Sequence, residues 1–180
     1  MVIPTVTILT SSTTYNTPVG CKYIKVYIIA QGGAGATGVG VASGDGQGCG
    51  GAAGQVLLRY FNAGTYTVTI AGAVTFDGVT ATVGGAGNAG AICSGGSVGP
   101  FGTYTSGQQF DNSGFTSAEV QASGNGGTGM FSSGGRGCAG LAITNGGTGL
   151  GFGGGGGGGV GTTGTGGSGS AGAVIITEYY

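Results

Sequence analysis

Acid–base, nucleophilic and metal chemistry each need particular side chains, and this chain of 180 residues holds few of them. It has no histidine and no tryptophan. That removes Ser-His-Asp and Cys-His constellations and every histidine metal site. The acids are Asp45, Asp77, Asp111, Glu119 and Glu178, and none forms a close pair in sequence. The four cysteines, Cys21, Cys49, Cys93 and Cys138, contain no Cys-x-x-Cys pair. They read as buried thiols, with two disulfides as the alternative. Gly33-Ala34-Gly35-Ala36-Thr37-Gly38 follows an apolar strand and fits the pattern of a dinucleotide-binding turn. Glycine recurs too often after it for the helix that such a turn must open. Ala52, Ala53 and Gly54 stand where an acid should meet the ribose. No catalytic residue, metal ligand or cofactor is expected, and the chain does not read as an enzyme.

The residues best suited to hold a ligand lie in one aromatic stretch. Phe101, Tyr104, Phe110 and Phe115 stand among Gln108, Gln109, Asp111 and Asn112. Aromatic faces beside amides and a carboxylate are what sugar binding requires, namely ring stacking plus paired hydrogen bonds to hydroxyls. The structural alternative is that these rings anchor a loop to the core.

Charged residues are only 5% of the chain and the net charge is −1. No basic patch exists to neutralise phosphates, so nucleic acid is not an expected partner. A surface built from Ser, Thr, Asn, Gln and exposed glycine suits a protein held in an assembly. The opening residues lack the basic region of a signal peptide, and no apolar run approaches the length of a membrane helix. Synthesis in the cytoplasm without a signal peptide and no membrane insertion are therefore expected.

The elements that must position these residues are strands. Val2 to Leu9, Tyr23 to Ala30, Gln55 to Phe61, Thr65 to Ala71, Val79 to Val83 and Ala173 to Tyr179 are rich in Val, Ile, Thr and aromatics. Ile24, Val26 and Ile28 alternate with Tyr23, Lys25 and Tyr27, and Tyr66, Val68 and Ile70 alternate with threonines. Asn62-Ala63-Gly64 reads as a hairpin turn, with Gly64 able to take φ > 0. Only Phe115 to Ser123 has a helical pattern. The first and last thirds are expected to be in contact, because both carry apolar strands too costly to expose.

Between the strands lie tracts that hold most of the 50 glycines: Gly32 to Gly54, Gly84 to Gly99, Gly124 to Gly149 and Gly151 to Gly172. Ordering a glycine backbone costs on the order of 1–2 kcal/mol with no side chain to bury in return. Glycine helices of the polyproline-II type offer an escape. They have no internal hydrogen bonds, so their N–H and C=O groups can bond to neighbouring helices packed close together. The fold class expected is all-β, with β-sandwich-like sheets and packed polyglycine-II-type segments in a single domain spanning 1–180. Long flexible loops on a small sandwich are the alternative.

The order of segments resembles the glycine-rich domain of bacteriophage tail-fibre and adhesin proteins, with similar proteins in giant DNA viruses and virophages. The resemblance rests on Tyr15-Asn16-Thr17-Pro18-Val19-Gly20 before the strand Ile24 to Ile29. It continues through Gly50 to Gln55, Gly64 to Ile70, Thr75-Phe76-Asp77-Gly78 and the closing Gly169 to Ile176. It implies attachment at a virion surface, made by loops and without catalytic residues. A host-surface glycan or protein receptor is the partner it implies. A homo-oligomer is expected from the scarcity of charge, and a trimer by analogy with fibre proteins. A purely structural virion or capsid-associated protein is the competing reading.

Overall fold

The computed structural model describes residues 3–38, 48–88, 121–140, 145–161 and 163–180. Among them the regular elements are strands, with no helix. They are β1 (Thr5–Leu9), β2 (Thr13–Asn16), β3 (Tyr23–Ile29), β4 (Val56–Asn62), β5 (Thr65–Ile70), β6 (Val74–Phe76), β7 (Val79–Ala81), β8 (Gln121–Ala122), β9 (Ser132–Ser133), β10 (Ala139–Gly140), β11 (Leu150–Gly151) and β12 (Ala173–Tyr179). Two four-stranded antiparallel sheets dominate, in the orders β1-β12-β3-β4 and β2-β5-β6-β7, with β8 paired to β10 and β9 to β11. The chain's last strand lies between β1 and β3, which joins the first and last thirds as expected.

Period-2 alternation decides which side chains enter the space between the sheets. Ile24, Val26 and Ile28 of β3, with Val174 and Ile176 of β12, are fully buried. They cluster with Leu57 from their own sheet and with Val68, Val74, Phe76 and Ala81 from the other. The result is a β-sandwich core.

Three local expectations are corrected. Asn62-Ala63-Gly64 is no hairpin: β4 pairs with β3 in one sheet, and β5 pairs with β2 and β6 in the other. The link crosses between sheets, and Gly64 does not take a positive φ. Crossing brings Phe61 and Tyr66 into one inter-sheet cluster with Phe76, centroids 4.9–5.4 Å apart. A hairpin would have set them along a single sheet. The true tight turn is Asp77-Gly78 between β6 and β7, where φ is 47° and 79°, the two positive angles that type I′ geometry requires. Secondly, the described end of the suggested helix, Gln121–Ala122, is a strand. Thirdly, Cys49 is disulfide-bonded, whereas Cys21 and Cys138 are free thiols.

The glycine-rich segments carry their hydrogen bonds outward, to one another. Residues 153–159 form the hub, and each of Gly153 to Gly159 is buried. Gly156 and Gly159 donate to the carbonyls of Gly33 and Ala36, whereas Gly155 and Gly158 donate to Gly127 and Gly124. Gly157 donates to Gly147. In return, Gly153, Gly156 and Gly159 accept from Gly54, Gly51 and Gly48; Gly154 and Gly157 accept from Ser170 and Gly167; and Gly155 accepts from Gly135. These bonds, 2.7–3.0 Å long, reach six separate segments and recur every three residues along four of them, at 33 and 36, at 48, 51 and 54, at 124 and 127, and at 167 and 170.

Such proximity excludes side chains. A Cβ built on Gly156 would stand 1.9 Å from the Gly167 oxygen, one on Gly158 1.9 Å from the Gly48 oxygen, and one on Gly35 2.0 Å from the Gly157 oxygen. The clashing atoms are backbone, which cannot swing aside. Gly156→Ala is therefore expected to cost at least about 3 kcal/mol, at the upper end of overpacking effects. Gly78→Asn, at a turn with nothing within 4 Å of the new Cβ, should cost less than about 1 kcal/mol, since Asn tolerates positive φ. Urea unfolding of the two variants measures the contrast, and equal midpoints would contradict it.

Candidate functional site

The sequence-predicted contact residues Phe101, Tyr104, Gln108, Gln109, Phe110, Asp111, Asn112 and Phe115 lie outside the described residues. The nearest described residues on either side of them are Asn88 and Gln121. Asn88 accepts from the Cys49 N–H at 3.0 Å and Ser123 donates to the Cys138 carbonyl at 2.8 Å, so both flanks are tied into the glycine lattice.

The chemistry sought there, aromatic faces beside an amide and a carboxylate, also occurs at one end of the sandwich. Tyr23, Tyr60, Phe61, Asn62, Tyr66 and Asp77 line an open cleft of about 430 Å³. It forms where β4 leaves its sheet and crosses to β5. The crossing is fixed by backbone bonds from Ala63 to Lys22 and from Thr17 to Gly64, both 3.0 Å, and by the Gly64 N–H donating to Thr17 Oγ1 at 2.9 Å. The Tyr66 hydroxyl donates to the Asn62 carbonyl. Burial, and secondarily the Asp77 carboxylate, push the Tyr66 phenol above its ordinary pKa, which keeps that donor protonated. Tyr23 is stacked on Tyr179 with centroids 4.7 Å apart and planes 8° from parallel, so its ring is held in place. Tyr60 is 63% exposed. Asp77 reaches the rim because the Asp77-Gly78 turn carries it there, tethered by its N–H to the Thr67 carbonyl at 3.0 Å. The sequence signal for that turn was the Asp-Gly pair itself; the cleft as a whole is assembled from residues up to 54 positions apart in the chain.

A second arrangement sits inside the sandwich. Glu178 lies in the inward-facing set of β12 and is only 3% exposed. Tyr15 of β2 donates to its Oε1 at 2.6 Å and Tyr180 to its Oε2 at 2.9 Å. The carboxylate thus ties the two sheets together through charge-assisted bonds. Among the described residues no group of three His, Cys, Asp or Glu is placed to share a metal ion.

The outward face of the sheet β1-β12-β3-β4 carries an apolar row. Ile8, Ile175, Tyr27 and Leu58 stand in one cross-strand row, with Val6 and Ile8 59% and 53% exposed. Phe131 meets Tyr27 edge-on at 5.1 Å. Lys25 folds its ammonium over the Tyr27 ring at 4.9 Å.

Burial first, then the bond to Glu178, raise the Tyr15 phenol well above its ordinary pKa. In the unfolded chain it ionises near pH 10. Below that pH both states hold the proton, and stability is intact. Above it the unfolded state sheds the proton while the folded state keeps it, so stability falls with a slope approaching ~1.4 kcal/mol per pH unit for one proton. Tyr15→Phe should cost about 1.5–3 kcal/mol at neutral pH through the lost bond to a charged group. It should also flatten the alkaline decline, as read from urea midpoints between pH 8 and about pH 11. A decline as steep as that of the unsubstituted protein would contradict the assignment.

A scan against protein-family models and a search of curated proteins return no match to this chain, and its function is read from its own geometry and chemistry.

Proposed function

We propose that this chain is a non-catalytic attachment module displayed on a virion surface or fibre tip, and that it meets a host or partner surface through the aromatic stretch 101–115. Its glycine segments, in this reading, form a bundle of polyglycine-II-type helices. Three observations support the bundle: hydrogen bonds that recur every third residue, bonds radiating from residues 153–159 to six neighbours, and no room for a Cβ between them.

The observation that carries the reading is that Asn88 and Ser123, described residues before and after the aromatic stretch in the chain, are tied into this lattice. A segment rich in Phe, Tyr, Gln, Asn and Asp that leaves this lattice after Asn88 and returns to it by Ser123 suits a contact surface. Loops carried by rigid scaffolds are where binding function concentrates. A host-surface glycan or a protein receptor is the proposed ligand.

The same protein is proposed to assemble as a homo-oligomer, with a trimer the expected state. The row Ile8, Ile175, Tyr27 and Leu58, extended by Val6, is the surface that a second copy would cover. Contiguous exposed apolar side chains of this kind mark interaction sites. That face also supports the second reading, a structural component buried in a virion or capsid.

Purified protein tests both. A trimer mass is expected by light scattering at micromolar concentration, and a monomer contradicts the assembly. Tyr104→Ala and Asp111→Ala should each weaken cell or glycan binding about threefold to tenfold with little change in thermal stability. Binding equal to wild type in both places the contact elsewhere. Absence of any binding, together with recovery of the chain from purified virions, favours the structural role.

A further inference from the structure

The cleft at the sandwich end is chemically complete in a way that its sequence positions do not reveal. Two tyrosine rings, Tyr23 and Tyr60, are exposed at its wall, one of them immobilised by stacking on Tyr179. Phe61 and Tyr66 are locked against Phe76 behind them. Asn62 and Asp77, both exposed, supply an amide and a carboxylate. Neither side chain makes a hydrogen bond or ion pair within the chain among the described residues. The volume of about 430 Å³ lies within the usual range of small-ligand sites.

We infer that this cleft is a saccharide-binding site, separate from residues 101–115, in which a pyranose ring lies on Tyr60 or Tyr23 and presents adjacent hydroxyls to Asn62 and Asp77. It draws on the attachment reading only for its biological setting. A sugar ring has an apolar C–H face that matches an aromatic plane, and vicinal hydroxyls donate to a carboxylate while exchanging both bond types with an amide. The open form of the cleft suits a flat, solvated ring. A quaternary ammonium would also be drawn to tyrosines beside a carboxylate. The amide beside the carboxylate serves paired hydroxyls, whereas a quaternary ammonium has no hydrogen-bonding group to offer it, so a neutral polyol is favoured.

The test uses the full-length protein and saturation-transfer NMR with methyl glycosides of glucose, galactose, mannose and N-acetylglucosamine, each at millimolar concentration, with choline as the cationic probe. Transfer to at least one glycoside is expected, and none to choline. Tyr60→Ala and Asp77→Asn should each weaken that binding about threefold to tenfold without lowering the thermal midpoint, since both residues are exposed and Asn is compatible with the positive φ at position 77. No transfer from any glycoside, transfer to choline alone, or both variants binding like wild type would overturn the proposal. Glycoside binding lost in these variants while no cell is bound upholds the cleft and removes the attachment reading. Cell binding that persists with no glycoside contact does the reverse.

Discussion

Where two glycine backbones lie side by side with no Cβ between them, each N–H can reach a neighbour's carbonyl at about 2.8 Å, and this contact governs much of the molecule. A single such bond nets only about 1 kcal/mol, less than the cost of ordering the residues that make it. The segment 153–159 overcomes this by bonding on all sides at once, to residues around 33, 51, 127, 135, 147 and 167. Dense backbone contact replaces a side-chain core. The sandwich is continuous with this lattice: Ala30 donates to Gln55 as β3 and β4 leave their sheet, and Gln31 donates to Gly72. One end of the sheets thus becomes the start of the glycine segments.

The opposite end of the sandwich is closed by side chains. There Phe61, Tyr66 and Phe76 form one aromatic cluster, and Glu178 receives hydroxyl bonds from both Tyr15 and Tyr180. A buried carboxylate without a cation is tolerable only when its oxygens are so engaged. The exposed cleft lies at the same end. Lattice and cleft therefore divide the molecule into a part that gives rigidity through backbone alone and a part that offers functional groups to solvent.

Much of the sandwich was legible in the sequence. Alternation in Tyr23 to Ile29 assigned Ile24, Val26 and Ile28 to the core, and the same reasoning placed Val68 inward with the flanking threonines outward. Short β2 was missed because Thr13-Thr14-Tyr15-Asn16 carries one inward residue and no period. Asn62-Ala63-Gly64 misled because local turn chemistry says nothing about which sheet the next strand joins; packing of Phe61 and Tyr66 from opposite sheets decided it. The register among glycine segments was illegible for a simple reason: glycine has no side chain to carry pattern. The cleft was illegible too, since its lining is contributed by three strands and a turn, and only the fold brings Tyr23 and Asp77 together.

The central claim is that the glycine segments are held by bonds between backbones as firmly as the sheets are. Amide hydrogen exchange across Gly153 to Gly159 reads those bonds directly, because every N–H from 153 to 159 has a partner, a carbonyl in each case but Gly154, which donates to Ser170 Oγ. The account predicts protection close to that of β3 and β12, with exchange only through global unfolding. Exchange at the rate of an unstructured peptide, while β3 and β12 remain protected, would contradict it.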